Sequence, residues 1–230
     1  MDTGILYIVA TPIGNLEDIT FRAVRVLGEV DLVVCEDTRV TRRLLDHYGI
    51  KTQAVSFYRN CKYGGAVKPV PKLDFLIGEL NAGKNLALVT DAGTPGISDP
   101  GNQLVAAAVA ELIPVIPVPG VSAVTALASV SGIDLGEFVF LGFPPHKKGR
   151  ETFFKKVTGF SLPVVYYESP HRVLKNLELL QQMESGKRII LGRELTKMFE
   201  EIVRGSVSEV LEYFRRNPVK VKGEFVIIVY

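Results

Sequence analysis

The 230-residue sequence has no tryptophan, two cysteines and three histidines. Cys35 and Cys61 lie far apart and in no metal-type spacing, so neither a disulfide framework nor a zinc cluster is expected. Cys35 ends an apolar run and reads as a buried thiol. His47, His146 and His171 stand singly, which leaves no pair from which to build a metal site. Long apolar runs are lacking as well: none approaches the roughly 18 residues that cross a bilayer. No basic segment leads into an apolar core at the start, so no secretory signal is expected. These absences predict a soluble cytoplasmic protein with no membrane and no metal among its partners. A strong charge of one sign is also missing, since the net charge is only +2. Overall charge therefore gives no reason to assign a nucleic-acid partner.

What is present is an ordinary globular composition, 47% hydrophobic and 23% charged. The charge is uneven. Residues 1–119 carry 11 Lys and Arg against 13 Asp and Glu, while residues 120–230 carry 16 against 12. The second half is the better place for an anion.

Short apolar runs alternate with amphipathic stretches. Strands are expected at 6–10, 31–35, 54–57, 86–89 and 114–118. Helices are expected at 19–30, from the polar 36–39 stretch to about His47, at 73–80 and at 104–112. Strand and helix in turn argue for a mostly parallel sheet covered on both faces. Pro117-Val118-Pro119-Gly120 reads as a linker, so an α/β fold of two domains is expected, 1–117 and 118–230. Beyond the linker come a small-residue helix at 121–130 and strands at 138–143, 164–167, 188–191, 202–205 and 225–229. Helices there are expected at 151–157, 172–183 and 207–215.

Three segments carry chemistry. Thr11-Pro12-Ile13-Gly14-Asn15 follows the first strand, but it lacks the glycines of a dinucleotide fingerprint and the lysine of a phosphate loop. Asp91-Ala92-Gly93-Thr94-Pro95-Gly96-Ile97-Ser98-Asp99-Pro100-Gly101 is dense in turn formers. Its Gly93 and Gly96 let backbone approach a ligand. Asp91, at a strand end, is placed to accept hydrogen bonds from an amine or hydroxyl. Asp99 and Pro100 read as the N-cap and first residue of the next helix. Pro119-Gly120-Val121-Ser122-Ala123 opens another helix; Val124 stands where a hydrolase elbow needs glycine, so Ser122 is not a nucleophile.

Together these segments resemble the tetrapyrrole methylase superfamily of S-adenosylmethionine-dependent methyltransferases. The resemblance extends through Cys35-Glu36-Asp37-Thr38-Arg39, Gly142-Phe143-Pro144-Pro145, Tyr167-Glu168-Ser169-Pro170-His171-Arg172, Arg193-Glu194-Leu195-Thr196-Lys197 and Gly223-Glu224-Phe225. These blocks are similar to the branch that methylates the 2′-hydroxyl of a cytidine in the decoding region of 16S rRNA. The resemblance implies two α/β domains with S-adenosyl-L-methionine in the cleft between them, a homodimer, and 16S rRNA of the small ribosomal subunit as partner. It places Pro12, Gly14, Asp91, Gly93, Thr94, Ile97, Ser122, Ala123 and Tyr167 beside the cofactor. Two departures stand out. A His-and-acid-rich stretch of the family is replaced by Ser56-Phe57-Tyr58-Arg59-Asn60-Cys61-Lys62-Tyr63-Gly64-Gly65. Many members also continue past the Gly-Glu-Phe strand into a small helical domain, whereas the sequence given ends at Tyr230.

Methyl transfer to a ribose hydroxyl wants a base. Glu36, Asp37, Glu168, Glu194 and Lys197 all remain candidates. Asp37 and Arg39 can equally be read as a surface ion pair. Arg39, Lys147, Lys148, Arg150 and Arg193 are the candidates for RNA contact; Arg215, Arg216, Lys220 and Lys222 form a second basic patch. Two alternatives stay open. One is a tetrapyrrole carbon methyltransferase of the same fold, against which the branch-type blocks argue. The other is a non-catalytic ribosome-assembly factor, against which the intact 91–101 loop argues.

Overall fold

The computed structural model describes residues 3–57, 72–99, 101–183 and 186–230. Tyr58 to Gly65 of the departing segment, Cys61 and Pro100 lie outside the described residues. The chain forms two compact units, Met1–Ser122 and Ala123–Tyr230. The division falls five residues later than 117/118, for a physical reason: Val118 is the last residue of a strand and pairs with Val9.

Among its described residues the first unit holds five strands, β1 (Leu6–Val9), β2 (Leu32–Cys35), β3 (Ala54–Ser56), β4 (Leu86–Leu88) and β5 (Val115–Val118). They lie in the order β3-β2-β4-β1-β5, every pair parallel. The helices are α1 (Phe21–Glu29), α2 (Thr38–His47), α3 (Leu73–Asn81) and α4 (Asn102–Ala110). Alternation along the strands sorts two cores. Leu6, Leu32, Val34, Leu86 and Leu88 pack with Leu76, Ile77 and Leu80 of α3 and Leu104 and Ala108 of α4. Val9, Val33, Cys35, Ala87 and Val89 pack with Ala23, Val26 and Leu27 of α1 and Leu45 of α2. Each face is thus apolar, as a buried parallel sheet requires. Local caps fix where helices begin: the Thr20 hydroxyl accepts from Ala23 N at 3.1 Å, and Asp37 accepts from Arg39 N at 2.8 Å.

β1 and β4 are neighbours, yet β1 leads into α1 on one face and β4 into α4 on the other. Their connections leave to opposite faces at the carboxyl edge, which makes this a topological switch point, the place where open α/β sheets bind ligands.

The second unit contains β6 (Val139–Phe140), β7 (Val164–Glu168), β8 (Arg188–Arg193), β9 (Glu201–Ser206) and β10 (Phe225–Val229), with α5 (Ala123–Ser129), α6 (Arg150–Gly159), α7 (Val173–Gln182) and α8 (Val207–Arg216). The order is β6-β7-β10-β8-β9, and only β6–β7 is parallel. A mostly parallel sheet is therefore true of the first unit alone. Phe154, Val157, Leu177, Leu180, Val210 and Phe214 from α6, α7 and α8 cover one face. α5 lies on the other, with Leu127 close to Gly192. β6 is shorter than the 138–143 expected, because Gly142 turns at φ 63. Ser206 and Glu209 cap α8 reciprocally, as their Ser-x-x-Glu spacing invites.

Candidate active site

At the carboxyl edge of the first unit, four loops are tied to one another. Thr11 N donates to Gly93 O at 2.9 Å and Gly93 N to Thr11 O at 3.0 Å, a bridge between the loops after β1 and β4 at the switch point. The Thr11 hydroxyl donates to Thr90 O at 3.1 Å. Thr94 Oγ1 donates to Val121 O at 3.2 Å, which joins the loop after β4 to the loop after β5. Asp37 N donates to Asp91 Oδ1 at 3.2 Å, and the Thr90 hydroxyl donates to Glu36, which brings in the loop after β2.

Gly93 has φ +83, and a Cβ there would stand 3.4 Å from Ile13 Cγ2. Only glycine takes this conformation without strain while bridging to Thr11. Asp99 does not cap α4: its carboxylate accepts from Gly96 N at 2.6 Å and Gly101 N at 2.7 Å, pinning the loop, and Gly101 stands at the N-cap. Its structural role thus takes a different form from the one expected.

The edge is acidic. Glu36, Asp37, Asp91 and Asp99 line it, and their environments differ. Burial pushes the Glu36 carboxyl up, the Thr90 hydrogen bond opposes this, and Asp91 and Asp99 push it further. Asp91 is raised too, first by burial, although its side chain remains exposed. Asp37 is lowered to about 2 by hydrogen bonds from Arg39, whose guanidinium grips both carboxylate oxygens. Among the described residues no group of His, Cys, Asp or Glu has the arrangement to hold a metal. Carboxylates beside a positive-φ glycine loop favour a cationic ligand rich in hydrogen-bond donors and repel phosphate.

Of the remaining positions expected beside a cofactor, Pro12 is buried, while Gly14 and Ile97 are exposed on the same loops as Thr11 and Gly93. Ser122 ends the first unit and Ala123 opens α5. Tyr167 is half-buried in the second unit and packs on Phe140 and Phe143, with centroids 5.2 and 5.1 Å away.

Four candidates in the second unit, Glu168, Lys197, Glu194 and Arg193, are held by neighbouring groups. Glu168 is not a free base: its side chain is fully buried, accepts from Ser169 N at 2.7 Å and from Asn176, and faces Arg172 Nε at 3.7 Å. Lys197 bridges Glu194 and Glu224 at 2.9 Å each. Burial acts to lower its pKa, but those two carboxylates outweigh it, so the ammonium is kept and no lone pair is free to accept a proton. Glu194 is likewise held low, because bonds from Glu224 N and Lys197 overcome its burial. Arg193 is 8% exposed and donates to Lys222 O and Phe199 O at 3.0 Å each, so it clamps a loop instead of reaching for RNA.

The basic residues also divide. Lys147 and Lys148 are exposed, whereas Arg150 turns back onto Pro145 O and His146 O. Arg39 is exposed but held by Asp37, which favours the ion-pair reading. Arg215, Arg216 and Lys220 of the second patch pair with Glu178, Glu212 and Glu201. The sequence alone points to no role for the Thr11, Thr90 and Arg172 side chains, which tie loops together. The first two adjoin singled-out motifs, but nothing local in the sequence marks a side chain that ties one loop to another.

The profile described as Tetrapyrrole (Corrin/Porphyrin) Methylases matches residues 5–211. A protein of Halalkalibacterium halodurans named "Ribosomal RNA small subunit methyltransferase I" is 42% identical over 99% of this chain and 76% of its own length. Proteins of the same name are 42% identical in Leptospira biflexa, over 99% of this chain and 91% of that protein, and 43% identical in Synechocystis, over 98% and 78%. Among solved structures, a diphthine synthase superposes with a TM-score of 0.73 at 13% identity, covering 98% of this chain and 89% of that one. A cobalt precorrin-4 methyltransferase superposes at 0.67 and 18% identity, covering 97% and 94%. At such identities these structures speak for the fold alone. With the profile spanning most of both units and relatives this similar over nearly its whole length, the chain belongs to the tetrapyrrole methylase family.

Proposed function

We propose that this chain is an S-adenosylmethionine-dependent methyltransferase that methylates the ribose 2′-oxygen of a decoding-region cytidine, cytidine 1402 of 16S rRNA, in the small ribosomal subunit. The observation that carries this reading is the 42–44% identity, over nearly the whole chain, to proteins named as small-subunit rRNA methyltransferases. The resemblance brings with it a homodimer, and the cytoplasmic location is the expectation drawn from the sequence. Among the described residues, no helix is long and apolar enough to cross a membrane.

The acidic edge suits the cofactor's chemistry. S-adenosylmethionine, when bound, supplies a methyl group on a positively charged sulfur and carries an ammonium and ribose hydroxyls. Asp91, exposed and fixed by the Asp37 amide, accepts hydrogen bonds from such donors. Gly93, buried at φ +83 with its N–H and C=O both bonded to Thr11, fixes the course of the loop that carries Asp91. Alignment is the main service the protein renders to such a displacement.

A ribose hydroxyl must lose its proton as it attacks, and Glu36 is the residue we assign to take it. Its raised pKa makes it a better base than an ordinary carboxylate. The Thr90 hydroxyl orients it. Asp37, lowered to about 2 and spent on Arg39, is the weaker base. The test is mass analysis of rRNA from cells with and without the gene. Loss of one ribose methyl from a decoding-region cytidine is expected; an unchanged rRNA methyl pattern contradicts the assignment.

A further inference from the structure

In the second unit a cavity of about 680 Å³ opens between the 146–152 segment and α7. Lys147 lines it from the loop and Lys175 from the helix. Both are exposed, and neither side chain has a hydrogen bond or ion pair with any described residue. Arg150 also lines the wall, but its guanidinium is spent on Pro145 O and His146 O, so it shapes the loop. Of the two acids on the wall, Glu178 is neutralised by Arg215 at 2.8 Å and Glu151 remains. The balance is positive, with two ammonium groups unspent.

The loop is held from inside the unit. Arg172 donates from Nη1 to Pro144 O at 2.9 Å and from Nε to Ser169 Oγ at 3.0 Å, with the buried Glu168 carboxylate 3.7 Å behind it. Gly149, at φ +89, turns the chain from this loop into α6. The Lys147 backbone is thus set in place before any ligand arrives, which reduces the entropy lost on binding.

We infer that this cavity seats the backbone phosphate of the RNA substrate, with Lys147 and Lys175 closing on it from two elements. The inference rests on the function proposed above and deepens it. No Phe or Tyr ring lines the cavity and His146 is the one ring on its wall, so its lining favours a charged backbone over a run of stacked bases. Its volume exceeds a single phosphate and admits a stretch of backbone. Lys148, the next residue in the chain, is not on the wall, so the contact does not belong to the whole basic run. Lys175, on a helix face, is a contact that the basic run at 146–150 does not include.

The test uses the full chain and isolated small ribosomal subunits, with binding followed across roughly 50–200 mM salt. Each lysine that releases a counterion contributes about one unit to the log–log slope. K147A/K175A is expected to lower the slope by about two while leaving S-adenosylmethionine affinity unchanged; K51A, a single charge removed from the first unit, is expected to leave the slope as it is. Melting curves check that the variants fold. A wild-type chain that methylates subunits while K147A/K175A keeps the wild-type slope overturns the cavity site alone. A wild-type chain that does not bind subunits overturns the cavity and the function together. If inorganic phosphate binding is lost in the double variant but the RNA slope is unchanged, the cavity takes a small anion and the inference is wrong.

Discussion

Replacing Glu168 separates a structural carboxylate from a catalytic one. Its side chain is fully buried, and three neighbours depend on it: Ser169 N, the Asn176 amide and Arg172. Glu168→Ala leaves Arg172, only 13% exposed, without its counter-charge. Breaking a buried ion pair from one side costs about 3–5 kcal/mol. The Nε–Oε1 distance of 3.7 Å is long, so the lower end applies, about 3 kcal/mol. In a unit of this size that lowers the melting temperature by roughly 10–20 °C. Glu168→Gln keeps an acceptor but sets an amide donor against another donor, so a smaller loss of about 1–2 kcal/mol is expected. Calorimetric melting gives the stability, and methyl transfer at a temperature where the variant is folded gives kcat. Folded E168Q should keep most of the wild-type kcat. A melting point within about 2 °C of wild type together with a collapsed kcat would show that Glu168 acts on substrate and does not serve to hold Ser169, Asn176 and Arg172.

Three further outcomes are expected. Asp91→Ala removes an exposed acceptor at the acidic edge and should weaken S-adenosylmethionine binding strongly; calorimetry returning wild-type affinity would take Asp91 out of the site. Glu36 must be ionised to accept a proton, and burial raises its pKa above that of an ordinary glutamate, so kcat should rise with pH through a limb displaced upward from the usual carboxylate range; Glu36→Gln should abolish the limb and most of the rate, and a limb that persists would assign it to another group. Gly93→Ala forces a side chain into left-handed backbone and sets its Cβ 3.4 Å from Ile13 Cγ2, which should cost about 1–2 kcal/mol and weaken cofactor binding; urea melts and calorimetry read the two effects separately.

What could be read from the sequence follows from how local the interactions are. The central strands β2 and β4 show because both faces are buried and each reads as an unbroken apolar run, as in Leu32-Val33-Val34-Cys35. The 91–101 loop shows because glycine and proline are concentrated where the chain must turn sharply. The mixed sheet of the second unit could not be read in the same way. β10 pairs with β7 and β8, and nothing in its composition names those partners or their direction. Side-chain roles divide similarly. Glu168 lies at a strand end, like Glu36, but the pleat turns it toward α7, where Asn176 meets it. Arg193 reads as one more exposed cation until Lys222 O, 29 residues on, takes its guanidinium. Lys175 is indistinguishable from a solvated helix residue until the loop facing it is placed.

The central claim is the product, and labelled-methyl transfer tests it most directly. Purified chain, S-adenosylmethionine carrying a labelled methyl and assembled small subunits are combined, and the RNA is digested to nucleosides for mass spectrometry. Assembled subunits should be better acceptors than short oligonucleotides, since recognition rests on RNA shape and phosphate. The account predicts a single 2′-O-methylcytidine whose label stays on the ribose when the base is cleaved. Label that leaves with the base, or that appears only on a porphyrin-type acceptor, would contradict it.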